Sequence, residues 1–129
     1  MRKGGILNAQ LAGALARLGH TDLVVVCDCG LPVPDGPEVV DLAFRFGTLS
    51  FEEVLRGLLG ELVVERATAA LEVREANPGC YRLLKSELGG LDLIPHEQLK
   101  LLVREAKLVV RTGEARPYAN VILRCGVPF

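Results

Sequence analysis

The sequence predicts an α/β fold: a single three-layer α/β/α domain over residues 1–129 with a central, mostly parallel or mixed sheet. The run Leu23–Cys27 is continuously apolar and rich in Val, as in a strand covered on both faces. Strand-like and helix-like segments alternate through most of the chain. Moreover, 129 residues with 50% hydrophobic content suffice for one core, so no second domain is expected.

Capping residues and helical spacing predict two helices in the first half of the chain. Asn8 is a suitable N-cap for a helix that we expect to end at Gly19. Ser50 and Glu53 have the spacing of a capping box, and the helix that they begin is expected to end at Gly60.

In the second half, Asn77-Pro78 and Pro95-His96 are expected to begin two more helices, the first of which ends near Gly89-Gly90. Between Gly60 and Asn77, the apolar run Leu62–Val64 is followed by Ala residues mixed with charged ones. This pattern predicts a charged helix. Further strands are expected at Val39–Ala43, Leu91–Ile94 and Leu108–Val110.

Charge and hydropathy exclude several classes of protein. The net charge of -1 and the pI near 6.1 indicate no basic face for nucleic acid or anionic membrane. No apolar run approaches the about 18 residues that a membrane span needs, and Asn8 and Gln10 interrupt a signal-like start. We therefore expect a cytoplasmic protein without a nucleic-acid or membrane partner.

The four cysteines are expected to be reduced, buried thiols rather than a disulfide framework. Cys27-x-Cys29 lacks the Cys-x-x-Cys spacing of a zinc or redox motif. A metal site built from His20, Cys27, Cys29 and His96 is conceivable, but strand residues are a commoner place for Cys.

Polar groups flank the predicted central strand and form the first candidate site. Asp28 follows the strand and Gly30 turns the chain away, which places a carboxylate at the sheet edge where α/β proteins bind ligands. His20 precedes the strand. Its simplest role is a cation at the C-terminus of the first helix.

A second group of polar residues lies near the C-terminus. Tyr118 and Asn120 offer a phenol and an amide, which suit sugar hydroxyls, and on a strand they would point the same way. Taken alone, they are more simply a surface aromatic and a turn residue. His96 is likewise, by itself, a partly exposed residue of a first helical turn.

Together these segments resemble one family, the D-ribose pyranases. The resemblance extends from end to end of the chain and rests on segments in the same order. These are Leu18–Asp22 with Asn8, Val25–Pro34, Pro95–Lys100, Arg111–Glu114, Pro117–Leu123 and Gly126–Phe129.

The resemblance implies an isomerase that interconverts the pyranose and furanose forms of D-ribose, with no cofactor and no metal. It implies that His20 is the catalytic proton donor and that Asp28, His96 and the segment Tyr118–Asn120, including Ala119, bind the sugar. Histidine suits this role because its ordinary pKa lies nearest to neutrality. The resemblance also implies a homo-oligomer, pentamers paired into decamers.

Spacing adds a geometric expectation. His20 and Asp28 are eight positions apart, and an extended chain of that length would separate them by as much as about 26 Å. We therefore expect each site to form between subunits, with His20 of one chain facing Asp28 of its neighbour.

Two other functions remain open. A fucose-type mutarotase shares the His and Asp, but Ala119 and Gly30-Leu31-Pro32 favour ribose over that group. A non-catalytic sugar-binding module accessory to ribose uptake would use the same polar residues without needing His20.

Overall fold

The computed structural model describes residues 1–129 and has one six-stranded sheet at its centre. The strands are β1 (Leu23–Cys27), β2 (Glu38–Asp41), β3 (Val64–Ala70), β4 (Leu91–Ile94), β5 (Leu108–Arg111) and β6 (Val121–Cys125). They lie side by side in the order β2-β5-β1-β6-β3-β4. Strand β6 is antiparallel to both neighbours and all other pairings are parallel, so the sheet is mixed.

Helices cover both faces of this sheet. They are α1 (Ala9–Ala16), α2 (Phe51–Leu59), α3 (Val73–Ala76), α4 (Pro78–Glu87) and α5 (His96–Leu102), the last followed by a 3-10 turn at Val103–Glu105. The core under α1, α2 and α4 is the larger of two apolar clusters, and α5 covers the smaller one on the opposite face. The α/β class and the helix-sheet-helix layering are therefore as the sequence predicts.

Strand β1 belongs to both clusters, because successive side chains of a strand point to opposite faces. Val24 and Val26 pack into the larger cluster, whereas Val25 and Cys27 pack into the smaller one. All four are completely buried. The prediction of a central strand covered on both faces is confirmed.

Three of the four predicted helix starts are confirmed by side-chain caps, and the fourth helix begins at His96 as predicted but without such a cap. Asn8 and Asn77 each accept a hydrogen bond from the third following backbone N–H, and Ser50 forms a complete capping box. One helix end differs from prediction. Helix α1 ends at Ala16, three residues before Gly19, because Arg17 and Leu18 form a tighter turn.

The prediction of a charged helix after Val64 is wrong. The chain continues as strand β3 to Ala70, and only the four residues of α3 are helical before Asn77. The small side chains of Ala67 and Ala69 are buried in the larger core, and β3 pairs with both β6 and β4. Pairing with two strands distant in sequence overrides the helix propensity of Ala, Glu and Arg.

None of the helices combines the length and the apolar character that crossing a bilayer requires.

The capping box at Ser50 provides a test of this architecture. The Ser50 hydroxyl accepts a hydrogen bond from the backbone N–H of Glu53 at 3.2 Å. We expect Ser50→Ala to lower the free energy of unfolding by about 1 kcal/mol, as measured by urea denaturation. Ser86→Ala, which removes an exposed hydroxyl within α4, is the control, and an equal loss in both variants would contradict the capping role.

Candidate sugar-binding edge

The ends of four strands bring most of the candidate residues to one edge of the sheet, called here the Asp28 edge. Strands β1, β3 and β4 end there, and the antiparallel β6 begins there. Asp28 follows β1, Asn120 precedes β6 and His96 begins α5 directly after β4. Residues that are 92 positions apart in the sequence, such as Asp28 and Asn120, therefore become neighbours.

Asp28 and Asn120 bind each other twice. The backbone N–H of Asp28 donates to Oδ1 of Asn120 at 2.9 Å, and Nδ2 of Asn120 donates to Oδ2 of Asp28 at 3.2 Å. Oδ1 of Asp28 accepts the backbone N–H groups of Gly30 and Leu31 at 3.0 and 2.9 Å. The carboxylate is thus fixed in orientation, and Oδ2 keeps accepting capacity for a ligand hydroxyl.

The surroundings of Asp28 alter its pKa. Partial burial raises the pKa of this carboxyl above the ordinary 3.8, although the N–H donors of Gly30 and Leu31, the Asn120 amide and the nearby His96 act in the opposite direction. Asn120 is almost completely buried. A carboxylate held in a partly dehydrated position forms stronger hydrogen bonds than one in water.

His96 and Tyr118 form the other half of the Asp28 edge. Their rings meet edge to face with centroids 5.1 Å apart. The backbone N–H of His96 donates to Glu72, with the shorter contact, 2.8 Å, to Oε2. Nδ1 of His96 is buried without a hydrogen-bond partner, so it is a polar atom that a ligand hydroxyl could satisfy.

Tyr118 lies in a turn rather than on a strand. Its backbone is left-handed, with φ at 56°, and its carbonyl accepts the N–H of Asn120. The alternation of side chains along a strand therefore does not place Tyr118 and Asn120 on one face, contrary to the expectation from their spacing. Ala119, between them, is buried in the larger core, so its side chain anchors the segment. An open pocket of about 400 Å³ has Tyr118 and Glu72 in its wall.

His20 lies at the opposite edge of the sheet, before the start of β1. Its Nε2 is 3.1 Å from Oε2 of Glu65, the second residue of β3, and its side chain is 54% exposed. The structure therefore brings Asp28, His96, Tyr118, Ala119 and Asn120 to one end of the sheet and leaves His20 at the other.

Sequence reasoning missed two residues that contact the candidate histidines. Glu72 and Glu65 carried no motif and fell in a segment that was predicted to be one charged helix. Glu72 meets His96 across 24 residues, and Glu65 meets His20 across 45. Such long-range contacts leave no local periodic signal.

The conceivable metal ligands are also divided between the two edges. His20 lies before β1, whereas Cys29 and His96 lie beyond the ends of β1 and β4. No group of three or more His, Cys, Asp or Glu side chains is close enough to hold a metal ion. All four cysteines are free thiols, and three are buried as the sequence predicts, whereas Cys29 is only partly buried.

An α/β protein with a mixed sheet and a polar, sugar-compatible edge is the class that the fold and this geometry define. The chain belongs to the RbsD / FucU transport protein family, whose model matches residues 1–128. It is 69% identical to D-ribose pyranase 1 of Rubrobacter xylanophilus and 67% identical to D-ribose pyranase of Streptomyces avermitilis. Both alignments cover all of this chain and all of the relative.

Solved structures agree in fold. The structure of Bacillus subtilis RbsD complexed with D-ribose superposes with a TM-score of 0.96 at 44% identity, covering all of both chains. A fucose mutarotase from Streptococcus pneumoniae, solved with L-fucose, has a TM-score of 0.78 at 22% identity over 95% of each chain. At that identity the second likeness concerns the fold alone.

The pKa values of the two carboxyl groups that flank β1 should be shifted in opposite directions. Burial raises the pKa of Asp28, whereas the Gly19 N–H and Lys107 lower the pKa of Asp22 below 3.8. We expect carboxyl-carbon NMR titration to give midpoints above and below 3.8, with Asp28→Asn identifying the first resonance.

The effects on stability follow with opposite signs. Folded protein binds the Asp28 proton more tightly than unfolded chain, so this group lowers the free energy of unfolding as the pH rises above 3.8. Asp22 stabilises the fold above 3.8, and this contribution is lost as the pH falls through its lowered pKa. A midpoint for Asp28 below that of Asp22 would contradict these opposite effects of burial and hydrogen bonding.

Proposed function

We propose that this chain interconverts the pyranose and furanose forms of D-ribose. The observation that carries the proposal is the Asp28 edge, where a fixed carboxylate, an amide, a phenol and an unpartnered imidazole nitrogen meet. The full-length likeness to D-ribose pyranases and to a ribose-bound structure supports pentose as the substrate.

The residues suit the recognition of a small neutral sugar. Oδ2 of Asp28 accepts a hydroxyl, and Nδ1 of His96 and the Tyr118 phenol complete the polar contacts. The Asn120 amide keeps Asp28 oriented, and Ala119 holds the segment in the core. A sugar hydroxyl both donates and accepts hydrogen bonds, and these side chains offer both acceptors and donors. A ligand therefore needs no net charge to bind here.

Ring opening transfers one proton from the anomeric hydroxyl to the ring oxygen as the bond between the ring oxygen and the anomeric carbon breaks. Closing through a different hydroxyl reverses these steps and gives the other ring size. We assign the proton transfer to His20, since a well-positioned acid or base accelerates such steps by roughly 10²- to 10⁴-fold. Neither an electron carrier nor a metal is needed to balance this reaction.

The position of His20 supports a site that is shared by two chains. Strand β1 separates His20 from Asp28, so one chain does not bring the imidazole to its own sugar-binding edge. We propose that His20 of one subunit completes the Asp28 edge of its neighbour in a ring-shaped assembly, pentamers paired into decamers, located in the cytoplasm. A fully active monomer would be incompatible with this arrangement.

Replacement of His20 tests the catalytic assignment. Saturation-transfer NMR on D-ribose should show accelerated ring exchange with the wild type. Exchange should fall by about 10²-fold or more with His20→Ala, because the proton carrier is gone. The control is Arg17→Ala, which removes an exposed side chain of the preceding turn, and its activity should stay within about twofold of the wild type.

The same measurement separates the alternatives. Acceleration of L-fucose exchange without D-ribose exchange would identify a fucose-type mutarotase. Ribose binding with equal, uncatalysed exchange in the wild type and His20→Ala would identify a non-catalytic binding module.

Mixing two inactive variants tests the shared site. His20→Ala retains an intact Asp28 edge, and Asp28→Asn retains an intact His20. If the site spans two subunits, dissociating and reassembling the two variants together should restore a measurable part of the wild-type rate. Mixed assemblies, verified by native mass spectrometry, that remain inactive would contradict the shared site.

A further inference from the structure

The turn that carries His20 is fixed to the rest of the fold. Oδ2 of Asp22 accepts the Gly19 N–H at 2.7 Å, and the Cys125 carbonyl accepts the Thr21 N–H at 2.9 Å. Thr21 has a left-handed backbone with φ at 71°, a conformation that a β-branched residue adopts only under constraint. The His20 imidazole therefore projects from a held turn, not from a flexible loop.

Glu65 is aimed at this imidazole by an irregularity in strand β3. The residues on either side, Val64 and Arg66, pair with consecutive residues of β6, which leaves Glu65 as an extra, bulged residue. Bulges redirect side chains and are common beside functional sites. Here the redirected carboxylate contacts Nε2 of His20 at 3.1 Å through Oε2.

The other side of the Glu65 carboxylate is held as well. Nε of Arg124, on β6, contacts Oε1 at 2.9 Å. Strands β3 and β6 thus fix one carboxylate against one imidazole nitrogen.

We infer that Glu65 is a positioning residue for His20, and that Nδ1 of His20 is the atom that exchanges the proton with the sugar. An ionised carboxylate only accepts hydrogen bonds, so its contact keeps the proton on Nε2. Nδ1 has no partner within the chain and is left with its lone pair. This inference rests on the proposed function.

The proton balance of the proposed step is simple. Nδ1 takes the proton of the anomeric hydroxyl, and the ring bond breaks as the carbonyl forms. The imidazolium then returns that proton to the released ring oxygen, while the other proton stays bonded to Nε2 and is donated to Glu65 throughout. Glu65 stabilises the transient positive charge of the ring without itself changing protonation.

The experiment combines nitrogen NMR with kinetics on Glu65→Ala and Glu65→Gln. The chain has only two histidines, so the His20→Ala spectrum assigns the imidazole signals. At a pH well above the ordinary pKa of histidine, the wild type should show only the tautomer with the proton on Nε2. Glu65→Ala should add the Nδ1–H tautomer.

The kinetic effect should be on turnover rather than on sugar binding. Glu65→Ala should lower kcat for D-ribose exchange by about tenfold and change KM by less than about twofold, because Glu65 orients His20 without touching the sugar. Glu65→Gln keeps an acceptor for Nε2–H and should retain the tautomer and more of kcat. Asp92→Asn removes a comparable exposed carboxylate from its pair with Arg66 and is the matched control.

The outcomes separate this inference from the proposed function. An unchanged tautomer and wild-type kcat in both Glu65 variants, or losses equal to those of Asp92→Asn, would overturn the positioning role while His20→Ala still abolished exchange. If the wild type gave no ring exchange at all, the proposed function would fail and proton transfer through Nδ1 would fail with it. Loss of kcat together with the tautomer change would support the inference.

Discussion

The burial of β1 on both faces decides where this chain can place chemically active groups. The strand pairs with β5 on one side and with β6 on the other, and Val24–Val26 are inaccessible to solvent. An unpaired polar side chain within such a strand would cost several kcal/mol, roughly 2–7, so chemically active groups are restricted to its two ends. His20 and Asp28 occupy those ends, and the rigid strand keeps them apart.

The two ends differ in electrostatic character, and this difference matters for function. At one end Asp28 is partly dehydrated and held by Asn120, so a hydroxyl meets an acceptor whose direction is already set. At the other end His20 is exposed and pairs with Glu65 in a region of charged side chains. One end is suited to holding a neutral ligand, and the other presents an exposed imidazole paired with a carboxylate.

The sequence predicts features that local chemistry determines. The Val-rich run of β1, the carboxylate of Asp28 after it and the cap at Asn77 all depend on neighbouring residues. Strand β3 was mispredicted because its Ala, Glu and Arg residues favour a helix locally, and only pairing with β6 makes them a strand. The Asp28–Asn120 pairing likewise depends on the antiparallel placement of β6, which no local pattern specifies. The sequence offers Asp28 and Asn120 as separate candidates, and only the family resemblance joins them in one site.

Strand β1 is too rigid to bring its two ends together, and for this reason we propose that two chains share each site. A crystal structure of the assembly with D-ribose is the most direct test. We expect a sugar hydrogen-bonded to Asp28 of one subunit, with the His20 imidazole of another subunit within hydrogen-bond distance of its anomeric or ring oxygen. A sugar enclosed by one subunit alone, with every His20 distant from it, would rule out the shared site.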